Sequence, residues 1–561
     1  MTSLALHPGL ILIAGAFLLL PLRGAARSVV ALAVPVAALY LVWHVPDGAV
    51  ASVRFLEFEL TLLAGDKLSR LFATIFAIMA FGGALFALNQ KHPLELAAAL
   101  FYAGAAIGVT FAGDLITLFV FWELMAIGST LVIWSAGTRP AYRASLRYMM
   151  IHLLGGVLLM AGIAGHVVDT GSITFQRLAT DSVAHWLILA GFLLNAGAPP
   201  LSAWLPDAYP EASWSGTVFL SAFTTKAAVY VLLRGFPGTE ILVYVGLFMV
   251  FYGIIYALLE NDMRRILAYS IVNQVGFMVT GVGLGTEMAL NGAASHAFTH
   301  IIYKALLLMS AGSVLLMTGK RKCTDLGGLF QSMPLTAWCG IIGALSISSF
   351  PLTSGFVSKS MISQAAADMH WLVVWLLLAV GSAGVFLHAG IKFPWFVFFQ
   401  KDSGLRPPDP PSNMRLAMLF FSALCIGLGI YPDPLYAMLP YPVGFVPYTG
   451  AHVVTQLQLL FFSGLAFFVM LDFLKRTLTI TLDVDWFYRT PGLWLIRSAL
   501  QGLSLYGSQA ELRLRQSVFE VWRLLERHHG PESKLARTWP TGSMALWVMI
   551  LLLAYLLLYY L

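Results

Sequence analysis

Phe350-Pro351-Leu352-Thr353-Ser354-Gly355 interrupts an apolar run that otherwise extends from about 335 to 364. Ala198-Pro199-Pro200-Leu201-Ser202 interrupts another, from about 184 to 204. Each break sets Pro-Leu and a hydroxyl residue inside a segment long enough to cross a bilayer. A proline within a helix costs about 3 kcal/mol, and irregular backbone at membrane depth survives only where protein or a wet cavity satisfies the freed groups. The two breaks fall in the seventh and twelfth apolar runs, five helices apart. Interruptions paired in this way predict internal repeats with the ion path at or beside the breaks. Five helices per repeat would invert the second copy, so that two half-channels open to opposite sides.

Outward from the breaks the same composition continues. Of 561 residues, 59% are hydrophobic and only 11% charged, and a hydrocarbon core of about 30 Å takes about 20 apolar residues to cross. Lipid offers the backbone no hydrogen-bond partners, so runs of this length must be helical. The fold class is therefore an all-α integral membrane protein of about sixteen transmembrane helices. The expected spans are 8–22, 27–46, 67–88, 93–112, 114–136, 145–168, 184–204, 214–234, 240–260, 264–284, 289–317, 335–364, 371–399, 414–431, 455–478 and 541–561. Residues 1–112 are read as N-terminal helices, with a short hairpin from Val53 to Leu60. The two five-helix repeats are placed at 93–235 and 240–400, and C-terminal helices at 401–480. From 481 to 540 polar residues return, with Glu511, Arg513, Arg515, Glu520, Arg523 and Arg527 interleaved with Leu, Val and Trp. That pattern predicts an amphipathic helix along the membrane face before a final anchor at 541–561.

The formal net charge of +6 is distributed by loop. Arg23 and Arg27, Lys91, Arg139 to Arg147, Arg264 and Arg265, Lys320 to Lys322, and Lys401 to Arg415 fall in alternate loops. The positive-inside rule puts these loops in the cytoplasm and both termini outside, and removes any reason to invoke a nucleic-acid partner. The first run has no basic n-region and no small-residue cleavage site, so it reads as a helix and not as a signal peptide. Cys323, Cys339 and Cys425 are far apart, without the spacing of a disulfide framework, a zinc site or an iron–sulfur cluster. Gly281-Val-Gly-Leu-Gly285 lacks the strand and acidic residue of a dinucleotide site. No cofactor, metal or catalytic redox site is expected within the chain.

Charges in the middle of the spans carry the functional reading. Glu123, Lys226, Lys304, Lys359 and Lys392 each sit within an apolar run, at roughly 2.5–3.5 kcal/mol apiece on insertion scales. Five such groups cost on the order of 12 kcal/mol, comparable to a domain's whole stability, so they are expected to face the interior and do work there. His296, His300 and Lys304 recur at i, i+4 and i+8 on one helical face, and His388 with Lys392 repeats the i, i+4 pair. Lysines and histidines in such a file can pass a proton in steps, with Glu123 as the acidic partner of Lys226. Asp114, Asn195, Pro199, Pro200, Pro351 and Asp262 are read as supporting residues. Lys392 has a second reading, as a side chain reaching toward the basic-loop end of its helix.

Several stretches resemble one family in order: Phe119-Val-Phe-Trp-Glu123, Trp204-Leu-Pro-Asp-Ala-Tyr-Pro-Glu-Ala212, Asn261-Asp-Met-Arg-Arg-Ile-Leu-Ala-Tyr-Ser270 with Asn273-Gln-Val-Gly-Phe-Met278, His300 to Lys304, and Gly355-Phe-Val-Ser-Lys359. They are similar to the antiporter-like subunits shared by respiratory complex I, Mrp-type cation/proton antiporters and membrane-bound hydrogenases. The core motifs look closest to the D subunit of the Mrp type, and the sixteen-helix count resembles the distal complex I subunit. The resemblance covers about residues 60 to 400. It implies two inverted five-helix repeats, each with one broken helix, in a subunit that works within a larger complex. It also implies that Glu123 is the essential glutamate of the fifth helix, Lys304 the central lysine and Lys359 the terminal charged residue of the second broken helix. Where many members carry a lysine before the first break this chain has Asn195, and Lys226 on the next helix is expected to supply that charge.

The function expected is proton conduction within a multisubunit monovalent cation/proton antiporter, with small hydrophobic membrane subunits as partners and protons, with Na+ as the candidate cation, as cargo. The alternatives are the proton-pumping membrane subunit of a complex I-like or hydrogenase-type redox complex, and an independent solute transporter.

Overall fold

The computed structural model describes residues 6–474, 483–530 and 539–561. Among them, thirteen helical spans are long and apolar enough to cross a membrane, and three shorter apolar helices, Pro8–Leu19, Val183–Ala196 and Pro334–Ile347, lie where the other three of the sixteen expected spans were placed. The end of the expected helix at 475–478, and 481–482 and 531–538 of the polar segment, lie outside the described residues. The chain divides into two compact units, Met1–Asp485 and Trp486–Leu561.

Three helices precede the first repeat: α1 (Pro8–Leu19), α2 (Gly24–Val42) and, after a hairpin, α3 (Lys67–Phe86). The hairpin pairs β1 (Gly48–Phe55) with β2 (Phe58–Gly65) antiparallel, Val53 opposite Leu60. It is twice as long as the alternation of 53–60 suggested. The added length is stabilised by a tertiary partner: Thr61 N–H donates to the Asp114 carboxylate at 2.7 Å, and Gly113 N–H to Thr61 O at 3.0 Å.

The stretch read as the first repeat contains α4 (Pro93–Phe111), α5 (Leu115–Trp134), α6 (Arg139–Thr170), α7 (Val183–Ala196), α8 (Trp204–Ala208), α9 (Gly216–Leu220) and α10 (Thr224–Gly235). The stretch read as the second contains α11 (Ile241–Leu259), α12 (Met263–Leu284), α13 (Glu287–Thr318), α14 (Pro334–Ile347), α15 (Phe356–Asp368) and α16 (Leu372–Val385). Polar caps set where these helices begin. Asp66, Asp114, Thr138, Ser182, Asp262 and Thr286 each accept a bond from a first-turn N–H, which satisfies a donor that has no intrahelical partner. α6 and α13 end on Gly171 and Gly319, both left-handed, a conformation that costs glycine nothing. The apolar windows of α9–α10 and α12 are wholly buried and that of α13 is mostly so, which puts these helices at the core of the bundle.

Both proline breaks are present. α7 stops at Ala196 and α8 restarts at Trp204, whose indole N–H donates at 3.0 Å to the Leu194 carbonyl, which also accepts from Gly197 N–H. α14 stops at Ile347 and α15 restarts at Phe356; Gln456 donates to Ser348 O at 3.2 Å, and the Lys359 ammonium reaches Ile347 O at 3.4 Å. Ser349 and Leu352 have φ of 58° and 68°, a strained state for side-chain-bearing residues that surrounding structure must impose. Two irregularities were not anticipated. Leu220-Ser-Ala-Phe-Thr224 separates α9 from α10 without a proline or glycine, and α16 continues into wide π-helical turns at Phe386–Lys392 and Trp395–Phe399.

On the basic-loop side, Arg264 holds the α8–α9 connection. Its guanidinium is buried and donates to Pro210 O at 2.8 Å, Ala212 O at 2.8 Å, Ser213 O at 2.7 Å and the Thr217 hydroxyl. Arg264→Ala would take the guanidinium from the Pro210 and Ala212 carbonyls, at about 1–3 kcal/mol each. The expected result is a marked drop in the thermal unfolding midpoint of detergent-purified protein, with Arg264→Lys intermediate because one ammonium cannot span the same fork. An unchanged midpoint for Arg264→Ala would contradict this reading.

After the repeats come α17 (Ser412–Ile430), α18 (Asp433–Ala437) and α19 (Gly450–Val469). Asp483 then accepts bonds from Tyr252 at 2.7 and 2.8 Å and Tyr269 at 2.6 Å, which fixes the chain to α11 and α12. α20 (Asp485–Arg489) leads to the second unit, which contains α21 (Pro491–His529) and α22 (Thr541–Tyr560). Within the polar segment α21 is a single helix of 39 residues whose polar and apolar side chains are both exposed, and α22 is apolar along its length.

Candidate functional site, a buried row of lysines and histidines

The centre of the row is α13. His296, His300 and Lys304 are fully buried on one stripe, as their spacing required. Lys304 Nζ donates to Ser270 Oγ at 2.9 Å and reaches Leu267 O at 3.4 Å, both on α12. On the α10 side, Lys226 is also fully buried, and its Nζ donates to Ser221 O at 2.6 Å and Thr225 Oγ1 at 3.2 Å. Ser221 O is one of the carbonyls released by the α9–α10 interruption, so the ammonium stabilises the backbone that the interruption exposes. Lys226 and Lys304 lie within Coulombic range of one another.

Toward α15 the row continues through histidine. His300 stands within range of Lys226, Lys304 and His296, and neither of its ring nitrogens has a hydrogen-bond partner among the described residues. The His296 and His300 rings are 6.2 Å apart. His296 Nε2 is 3.1 Å from Gln274 Oε1, which also accepts from Tyr303 OH at 3.1 Å, and His296 Nδ1 is 3.4 Å from Ser358 Oγ. Ser358 hydrogen-bonds Thr299 at 2.7 Å and directly precedes Lys359, whose ammonium sits 5.2 Å from the Phe277 ring centre. Polar or titratable groups therefore follow one another from the α9–α10 interruption to the second proline break.

His388 and Lys392 lie in the π-helical turns, so the straight stripe expected from i, i+4 spacing is not the arrangement found. His388 is fully buried, its Nδ1 2.8 Å from Gly384 O and its Nε2 without a partner among the described residues, within range of Lys304, Lys359 and Lys392. Lys392 donates to Ala257 O at 3.2 Å, Leu258 O at 2.5 Å and Glu260 O at 2.6 Å. It caps the C-terminus of α11, where a cation meets the negative end of the helix dipole.

Glu123 is placed differently from the sequence expectation. It is half-buried at the middle of α5, with Oε1 buried against the Cα of Gly156 on α6 and no partner for that oxygen among the described residues. Among the described residues no ion pair joins it to Lys226, because Lys226 is turned to the α9–α10 carbonyl. What spans the region from α6 to α10 is hydroxyl: Tyr148 OH lies 3.0 Å from Ser129 Oγ and 3.4 Å from Thr224 Oγ1, and Tyr102 OH is 2.5 Å from Thr224. Asn195, at the first break, accepts from His152 Nδ1 at 2.8 Å.

The supporting acids are structural anchors. Asp114 caps α5 and holds β2, and Asp262 caps α12 and pairs with Arg321 at 2.7 Å. Burial pushes the Asp262 carboxyl above the usual carboxylate range, with Arg321 and Arg264 opposing. Sequence reasoning missed two buried residues. Glu95 is buried at the start of α4, bonded to Ser213 at 2.8 Å, Ser215 at 2.5 Å and Gln90 at 3.1 Å, in the wall of a cavity of 640 Å³ on the basic-loop side. An acid in a helix's first turn is so ordinary that only its depth distinguishes it. His152 is a single histidine in an apolar run, and its partner is 43 positions away.

Known proteins share both the sequence family and the fold. The family described as NADH:quinone oxidoreductase/Mrp antiporter, TM, matches residues 112–385. The D subunit of the Na(+)/H(+) antiporter of Alkalihalophilus pseudofirmus is 32% identical over 350 residues, 59% of this chain and 71% of that one. The chain belongs to the NADH:quinone oxidoreductase/Mrp antiporter family. The family match takes in Glu123 and every member of the row from Lys226 to Lys359, and stops short of His388 and Lys392. Two solved structures share the fold. A chain of the Mrp complex from Dietzia sp. superposes with a TM-score of 0.78 at 23% identity, over 92% of this chain and 61% of that one. A chain of the membrane-bound sulfane sulfur reductase, an archaeal respiratory membrane complex, superposes with a TM-score of 0.71 at 24% identity, over 98% of this chain and 99% of that one.

Proposed function

We propose that this chain is the proton-conducting subunit of a multisubunit monovalent cation/proton antiporter. The observation that carries the reading is the buried row: three lysines and two histidines, each at most 3% exposed, joining the α9–α10 interruption to the second proline break. Placing them there is costly, and the intervening hydroxyl, amide and imidazole groups suit proton transfer. In this mechanism a proton enters one half-channel beside Glu123, reaches Lys226, crosses by Lys304, His300 and His296, and leaves near Lys359. Each ammonium that gives up a proton becomes the acceptor for the next. The basic loops would face the cytoplasm of a bacterial inner membrane and both termini the outside. The cation is Na+ by analogy with the Alkalihalophilus antiporter relative, and the partners are further hydrophobic membrane subunits.

A specific observation favours a second reading. The match to a chain of a respiratory complex runs end to end, through α21 and α22 as well as the repeats. The same row would then serve a redox-driven proton pump. Native mass spectrometry of the complex purified through a tag on this chain separates the two. Small hydrophobic subunits alone are the expected result, and co-purifying iron–sulfur, flavin or hydrogenase subunits would replace the antiporter reading with the pump.

A further inference from the structure

Tyr148, His152 and Gly156 follow one another at i, i+4 spacing and form one stripe of α6. Gly156 receives the Glu123 carboxylate: a Cβ at this position would overlap Glu123 Oε1, so the absence of a side chain is what lets the acid approach the helix. One turn away, about 5.4 Å along the axis, His152 is buried at 1% exposure. Its ring is held on two sides, with centroids 4.0 Å from Tyr148 and 4.7 Å from Trp204. Its Nδ1 lies 2.8 Å from the Asn195 amide oxygen. That oxygen can only accept, so Nδ1 carries the proton and Nε2 is left as a free base. Nε2 has no partner among the described residues, and neither does Glu123 Oε1. Two unpartnered buried polar atoms, an imidazole nitrogen and a carboxylate oxygen, are thus held against one stripe of α6, at backbone positions one turn apart.

We propose that His152 is a proton-relay site that connects Glu123 to the hydroxyl chain leading to Lys226. The inference rests on the proton-conducting reading above and names its first internal step. A proton leaves the Glu123 carboxyl for His152 Nε2, which yields carboxylate and imidazolium. The same Nε2 then gives it to the Tyr148 hydroxyl chain, and the ring returns to neutral while Nδ1 stays bonded to Asn195. Tyr148, Thr224 and Tyr102 exchange hydroxyl protons along the chain, at 3.4 and 2.5 Å, up to the residue before Thr225, whose hydroxyl is 3.2 Å from Lys226 Nζ. The groups in contact with the ring are Tyr148 on its own helix, Asn195 from α7 and Trp204 from α8, and Glu123 of α5 meets α6 one turn further on, at Gly156.

The test uses the whole complex in everted membrane vesicles, with cation-driven proton movement read by acridine-orange fluorescence and assembly read on native gels. His152→Gln keeps a donor for Asn195 and most of the volume but cannot titrate. It is expected to lower proton movement about tenfold or more with assembly unchanged. Tyr148→Phe keeps the ring that packs on residue 152 and removes only the hydroxyl; it is expected to lose activity similarly, and it decides the matter if His152→Gln does not assemble. His152→Gln that assembles and keeps more than half of wild-type movement overturns the relay, as does Tyr148→Phe at wild-type rate. Glu123→Gln in the same series separates the two claims. Full activity there removes the proton-conducting reading itself, whereas an inactive Glu123→Gln beside an active His152→Gln removes the relay alone.

Discussion

Lys304→Ala, assembled in the complete complex, is expected to reduce proton translocation by about a hundredfold or more, the loss usual when a positioned proton-transfer group is removed. Its ammonium is fully buried, bonded to Ser270 Oγ and directed at the Leu267 carbonyl, and it lies within Coulombic range of Lys226 and of His300 on its own helix. A methyl group at this position removes the ammonium that α13 contributes to the row. Stability should move the other way or not at all, because the substitution removes a buried charge and strands only a hydroxyl, which can turn to a backbone carbonyl of its own helix. Activity lost with the unfolding midpoint preserved is therefore the expected signature, and acridine-orange quenching together with differential scanning fluorimetry would read it. Transport at the wild-type level by an assembled Lys304→Ala complex would show that protons travel elsewhere.

Glu123→Gln is expected to have an effect of the same order, about a hundredfold, for a different reason. The amide fills the same space beside Gly156 and preserves packing but can neither take nor give a proton. Because Glu123 forms no ion pair with Lys226, no partner charge is orphaned by the change, so assembly should be unaffected. Glu123→Asp, one methylene shorter, withdraws the carboxylate from Gly156 and is expected to be impaired but active. A Gln variant as active as wild type would sink the assignment.

The two proline breaks, the sixteen runs and the members of the row on α13 could be read directly, because each violates the chemistry of its surroundings. Proline cannot donate within a helix, and a lysine in lipid is too costly to be incidental. The interruption between α9 and α10 could not be read. Leu220-Ser-Ala-Phe-Thr224 carries no breaking residue, and the helix opens there where the Lys226 ammonium meets Ser221 O, a side-chain-to-backbone bond that periodicity does not encode. The Glu123–Lys226 partnership was inferred from complementary charge; the two form no ion pair in the structure, where Lys226 meets the Ser221 carbonyl. Lys392 was legible as a buried charge, whereas its capping of α11 depends on carbonyls about 130 residues earlier and on π-helical turns that no spacing rule anticipates. His152 and Glu95 were invisible because their types are ordinary where they stand, and only depth and partners distinguish them.

The central claim, that protons pass along the row from Lys226 to Lys359, is tested most directly by blocking it at either end. The complex is purified, reconstituted into liposomes with a pH-sensitive dye inside, and driven by an imposed Na+ gradient. The account predicts that wild-type liposomes change internal pH while Lys226→Ala and Lys359→Ala liposomes, with equal protein incorporated, do not. Proton flux in either variant equal to that of wild type would contradict it.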